Sequence, residues 1–112
     1  MAQADPSGAP FEALGDANRR EILRLLAGGD KPVQEISEAM PISRPAVSRH
    51  LRVLKDAGMV AEVAQGTRRI YHLQAEGLLA VQEYLEGVWG AAAARFRLMA
   101  ENTADPRQEP RR

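Results

Sequence analysis

Apolar residues along the chain recur at two periods. Ile22, Leu23, Leu25 and Leu26 lie inward on a segment that Asp16 caps and Gly28 and Gly29 end, with Arg19, Arg20, Glu21 and Arg24 mostly outward. That pattern predicts a helix from Asp16 to about Ala27. Ahead of it, Phe11 to Leu14 predicts a short helix ended at Gly15. Pro32 fits the first turn of a third helix, in which Val33, Ile36 and Met40 recur at spacings of three and four before Pro41 closes it. Ser43 is a good cap for a fourth helix, Pro45 sits in its first turn, and Val47, Leu51 and Leu54 mark one apolar face running to Ala57 and the stop at Gly58.

The period then changes. Met59 to Ala64 and Arg68 to Leu73 are β-compatible runs around Gln65, Gly66 and Thr67, which predicts a hairpin with a polar, basic tip. From about Ala75 the helical period returns: Leu78, Val81, Leu85, Val88, Ala92, Phe96 and Met99 step by three or four over about 25 residues. A stripe of that length needs a partner surface. The fold class expected is mainly α with one small β-hairpin, on a single domain spanning 10–101. Met1–Ala9 and Asn102–Arg112 are expected to be disordered tails, since neither carries apolar periodicity.

With 112 residues and only 4% aromatics, one modest core of Leu, Val, Ile, Met and Ala is all the chain can build. The absence of cysteine removes disulfides, thiolate metal ligation and thiol nucleophiles together. With two histidines, no Gly-rich phosphate loop and no HExxH, catalysis is excluded as an expectation. No secretion signal or membrane span is visible, so a cytoplasmic protein is expected. Formal net charge is zero, but charge is unevenly placed. Between Ser43 and Leu73 six basic residues face two acidic ones, a net of +4 that the rest of the chain offsets.

Two short helices joined by a tight Pro41-Ile42 turn, the second opening with Ser43, Arg44 and Pro45, satisfy the requirements of a helix-turn-helix. The recognition helix would span 43–57 and the wing 60–73. Val47, Leu51 and Leu54 face inward, while Arg44, Ser48, Arg49 and Arg52 project elsewhere. An arginine donates two parallel hydrogen bonds to guanine O6 and N7, and hydroxyl or helix N-terminal N–H groups bind phosphates. Candidate DNA-binding residues are therefore Ser43, Arg44, Pro45, Ala46, Ser48, Arg49, His50 and Arg52, with Thr67, Arg68 and Arg69 at the wing reaching phosphates or the minor groove.

Phe11 to Trp89 resembles the ArsR/SmtB family of bacterial winged-helix repressors. The segments that carry the resemblance are FEALGDANRREILRLL, VQEISEAMPISRPAVSRHLRVLKDAGMV and GTRRIYHL, in that order. The resemblance implies a winged helix-turn-helix fold, a homodimer formed by the first and last helices, and a palindromic double-stranded DNA operator. The expected dimer interface is Phe11, Leu14, Leu78, Val81, Leu85, Val88, Trp89, Ala92 and Phe96. Metal-sensing members use cysteines near the recognition helix or His and carboxylate ligands on the last helix. Here VQEISEAM lacks cysteine and the last helix lacks histidine, so the chain resembles the metal-free, autorepressor-like branch. No metal or cofactor is expected, and no effector can be named.

Blander readings stand beside these. The arginines of the fourth helix can be a solvated face. Ser43 reads first as a cap, and His50 as structural or as a DNA-backbone contact. His72 would join His50 at a metal only if folding brought them together. Gly87 and Gly90 each weaken a helix, which suggests close approach of another helix. A winged helix used for protein contact, without DNA, is the alternative function.

Overall fold

A computed structural model describes residues 8–103. The elements in chain order are α1 (Gly8–Leu14), α2 (Ala17–Ala27), β1 (Lys31–Pro32), α3 (Val33–Glu38), α4 (Arg44–Asp56), β2 (Val60–Gln65), β3 (Arg68–Leu73) and α5 (Ala75–Thr103). Of the two expected tails, residues 1–7 and 104–112 lie outside the described residues. Gly8 and Ala9 belong to α1 and Asn102 and Thr103 to α5, so the helices run further than apolar periodicity indicated.

Helix starts follow local chemistry. The Asp16 carboxylate accepts the backbone N–H groups of Asn18 at 2.8 Å and Arg19 at 3.1 Å, opening α2. Ser43 Oγ accepts the Ala46 N–H at 3.2 Å, opening α4 with Pro45 in its first turn. The corner between α1 and α2 is closed by two arginines. Arg19 donates to the carbonyls of Ala13 and Glu12, and Arg20 to that of Leu14, satisfying acceptors that the end of α1 leaves open.

Pro32 departs from expectation. It is not in the first turn of α3 but in β1, which pairs antiparallel with β3 through Lys31↔Tyr71 and Pro32↔Ile70, and it is also the N-cap position of α3. An edge strand tolerates proline because one side of its backbone needs no donor. The sheet order is β1-β3-β2. The hairpin register closes on Gln65↔Arg68, leaving a two-residue turn of Gly66 and Thr67. Gly66 has φ 63° while no described non-glycine residue has positive φ, the II′ pattern that requires glycine first.

The core is formed by Ile22, Ile36, Val47, Leu51, Leu54, Met59 and Val60, all fully buried. Three of these come from one face of α4, so its back is fixed against α2 and α3 and its front is left to solvent. A division within α5 separates two units, at Val81 and Gln82. In the first, Leu78 and Val81 pack against the core as partly buried residues, as does Leu14. In the second, Tyr84, Leu85, Val88, Trp89, Phe96, Leu98 and Met99 are exposed. Among the described residues no helix is long and apolar enough to cross a membrane.

Candidate nucleic-acid interface

The front of α4 presents Arg44, Pro45, Ser48, Arg49 and Arg52 to solvent, with the cap residue Ser43 exposed at its start. Ala46 is half-buried behind them. Arg44, Arg49 and Arg52 form no ion pair among the described residues, nor does Arg68 at the wing tip. The four described ion pairs use other cations. Thr67, Arg68 and Arg69 are all exposed. Arg44 at the start of α4 and Thr67, Arg68 and Arg69 of the wing line one concavity of about 390 Å³, together with Pro32, Val33 and Gln34. The structure thus brings the two expected DNA-binding segments together on one surface.

Two of the expected residues are otherwise engaged. His50 turns toward the start of α2. Its Nδ1 lies 4.0 Å from Asp16 Oδ1 and 3.4 Å from Arg19 Nη1, and its side chain is only 19% exposed. These contacts tie α4 to the α1–α2 corner. Arg69 Nη1 lies 2.9 Å from Glu62 Oε2, which also accepts from Lys55 Nζ at 3.3 Å. The Tyr71 hydroxyl donates to the same carboxylate; this bond, followed by the Lys55 and Arg69 charges, holds the Glu62 carboxyl below its ordinary range against the opposing effect of burial. Burial and the Glu62 carboxylate push the Tyr71 phenol up to about 12.

In the sequence Glu62 is, with Asp56, one of only two acidic residues between Ser43 and Leu73. Its two cations stand seven residues away on either side, and only the hairpin and the packing of β2 on α4 bring all three together. His72 Nδ1 lies 3.1 Å from the Leu73 carbonyl oxygen, whereas His50 Nδ1 has Asp16 and Arg19 as its neighbours. Among the described residues, no group of three or more His, Cys, Asp or Glu is placed to hold a metal ion.

The expected dimer residues divide by burial. Leu14, Leu78 and Val81 are partly accounted for by the protomer's own core, and Phe11 and Ala92 are half-buried. Leu85, Val88, Trp89 and Phe96 are exposed, Trp89 by 70%. Among the described residues, a Cβ placed on Gly87 or Gly90 meets nothing within 4 Å, so no close approach between those residues explains these glycines.

The sequence profile of bacterial regulatory proteins of the arsR family matches residues 16–62. The chain is 40% identical over 95 residues to the HTH-type transcriptional regulator Rv2034 of Mycobacterium tuberculosis, a match covering 85% of this chain and 89% of that one. It is 41% identical over 63 residues to the transcriptional repressor SdpR of Bacillus subtilis, covering 56% of this chain and 70% of the other. Among solved structures it is similar to the homodimeric winged helix-turn-helix DNA-binding domain Mb0332 of Mycobacterium bovis, with TM-score 0.62 and 29% identity. That match covers 86% of this chain and 95% of that one. With its capped recognition helix, its basic wing and these relatives, the chain belongs to the arsR family of bacterial regulatory proteins, sequence-specific DNA-binding regulators rather than enzymes.

Proposed function

We propose that the protein is a homodimeric repressor that binds a palindromic operator in the bacterial cytoplasm. The observation that carries this reading is four exposed arginines that form no ion pair among the described residues, Arg44, Arg49 and Arg52 on α4 away from its buried face and Arg68 on the wing. Arg44 and Arg49 lie in the first turns of the helix, the part that reaches base edges when a recognition helix lies in the major groove. Ser43, Ser48 and Thr67 supply hydroxyl groups for phosphates, and Arg68 a flanking phosphate or minor-groove contact. His50 orients the helix from behind.

The apolar residues exposed on α5 favour a second copy as their cover, and a relative of similar fold is homodimeric. Two recognition helices related by a twofold axis fit successive major grooves about one turn, roughly 34 Å, apart. Binding across a promoter would exclude polymerase, and SdpR, a relative, is a repressor. Selection of bound sequences from a random duplex pool tests this directly. The expected product is an inverted repeat with half-sites one turn apart. A pool that enriches no motif, or a single half-site only, contradicts the proposal.

A further inference from the structure

A carboxylate in the middle of a DNA-binding face is costly for affinity, because it repels the phosphates that the surrounding cations attract. Glu62 is placed there, yet it is not free. On the sheet, Glu62 stands opposite Tyr71 and Ala64 opposite Arg69, and side chains two apart along a strand share a face. Tyr71, Arg69 and Glu62 therefore converge on the side of the hairpin that α4 covers, where Lys55 completes the cluster. Glu62 is 20% exposed, while its partners Lys55 and Arg69 are 50% and 66% exposed. The anion sits inside and the two cations lie over it. A groove of about 440 Å³ between α4 and the wing is lined by Ser48, Arg52 and these same residues.

Of the six cations on this segment, two are thus committed to one carboxylate and four form no ion pair among the described residues. Sequence-independent affinity for duplex DNA grows with every phosphate a cation neutralises, whereas discrimination comes from contacts to base edges. We propose that Glu62 is a specificity-determining residue. By holding Lys55 and Arg69 it withholds two cations from the DNA backbone and fixes the wing to the end of the recognition helix. The repressor then loses nonspecific affinity while Arg44, Arg49 and Arg52 keep their access to the bases. This rests on the DNA-binding reading above.

The test is a salt titration of the full chain on random-sequence duplex DNA, comparing wild type, Glu62→Gln and the triple variant Lys55→Gln/Glu62→Gln/Arg69→Gln. Glutamine keeps the shape of the glutamate and removes its charge. Glu62→Gln is expected to steepen the slope of log affinity against log salt by about 1 to 2. It should also raise random-sequence affinity about 10-fold at roughly 0.1 M salt. The triple variant should return to within about 0.5 of the wild-type slope, since the trio it removes contributes little net neutralisation. An unchanged slope in a folded Glu62→Gln protein overturns the proposal. So does a triple variant whose slope falls below wild type by about 2, because Lys55 and Arg69 would then already be on phosphates; this arm stands even if Glu62→Gln fails to fold. Wild-type protein that binds no duplex at any salt overturns the DNA-binding reading and this proposal with it, whereas wild-type binding with either result above overturns this proposal alone.

Discussion

Gly77 donates its backbone N–H to the Gly58 carbonyl at 2.8 Å, locking the first turn of α5 onto the bend that ends the recognition helix. The approach leaves no room for a side chain. A Cβ at Gly77 would run into the Ala57 carbonyl oxygen and stand 2.7 Å from Met59 Cγ, and Met59 is fully buried. Gly77→Ala is therefore expected to destabilise the fold by roughly 1–3 kcal/mol through overpacking. Gly87→Ala, where a Cβ meets open space, is expected to strengthen its helix by about 0.5–1 kcal/mol unless a partner helix approaches there. Thermal melts of both variants check the contrast. A Gly87→Ala protein that stays folded but no longer sediments as a dimer would place the partner helix at that glycine.

Acid should weaken the α2 cap. The Arg19 backbone N–H above all, with that of Asn18 and the nearby His50 and Arg19 charges, holds the Asp16 carboxyl below its ordinary 3.8, against a desolvation that raises it and is second only to the Arg19 bond. A carboxyl whose pKa is lower folded than unfolded contributes stability above the unfolded value and loses it as pH falls through the folded one. Asp16→Asn keeps a good capping group but cannot titrate. Its melting temperature is expected to fall less than that of wild type between pH 6 and pH 3. Parallel pH profiles for the two proteins would show that Asp16 is not part of the acid response.

Burial on the back of α4 sets the largest stability effect. Leu54 is fully exposed to the core and not to solvent, so Leu54→Ala should cost about 2–5 kcal/mol, while Ser43→Ala, which removes only the cap, should cost about 1 kcal/mol. Urea denaturation monitored by circular dichroism measures both. A Ser43→Ala cost as large as that of Leu54→Ala would mean that Ser43 does more than cap.

How much of this was legible in the sequence depended on the range of the interaction. The α4 helix announces itself locally: Ser43, Pro45 and the Val47, Leu51, Leu54 spacing are all within a dozen residues, and the helix forms where they indicate. The hairpin is equally local, because Gly66 supplies the turn between two β-compatible runs. By contrast β1 is two residues long, too short to show a period, and exists only because β3 offers it an edge. His50 reads as structural or as a DNA-backbone contact, and only the packing of α2 behind it supplies its neighbours Asp16 and Arg19. Glu62 is one of two acidic residues in a basic segment until the hairpin folds Arg69 back and α4 brings Lys55 beside it. Local patterns thus indicate the helix and the wing that line the candidate surface, but not which of its cations are held within the protein.

Trp89 is the chain's single tryptophan and is 70% exposed in the protomer. If a second copy covers α5, its emission should shift to shorter wavelength as protein concentration rises through the dimerisation range. Trp89→Ala should weaken the dimer about 10-fold or more, as expected for a buried aromatic anchor. Emission that stays solvent-like at every concentration, with a monomer by sedimentation, would contradict the dimer.

The arginines separate reading from holding. Arg68→Ala is expected to weaken binding to all duplexes alike and to reduce the salt slope by about 1, whereas Arg49→Ala should cost about 1–3 kcal/mol on the operator and relax sequence preference. Competition assays on specific and random duplexes distinguish the two outcomes.

The central claim is that α4 reads DNA sequence, and the most direct measurement is a gel shift on DNA from upstream of the protein's own gene, with random competitor, at two salt concentrations. Wild type is expected to retain that DNA selectively and more weakly at the higher salt, and Arg44→Ala/Arg49→Ala, though folded, to lose the selectivity. Full operator affinity and selectivity in the double variant would contradict the account.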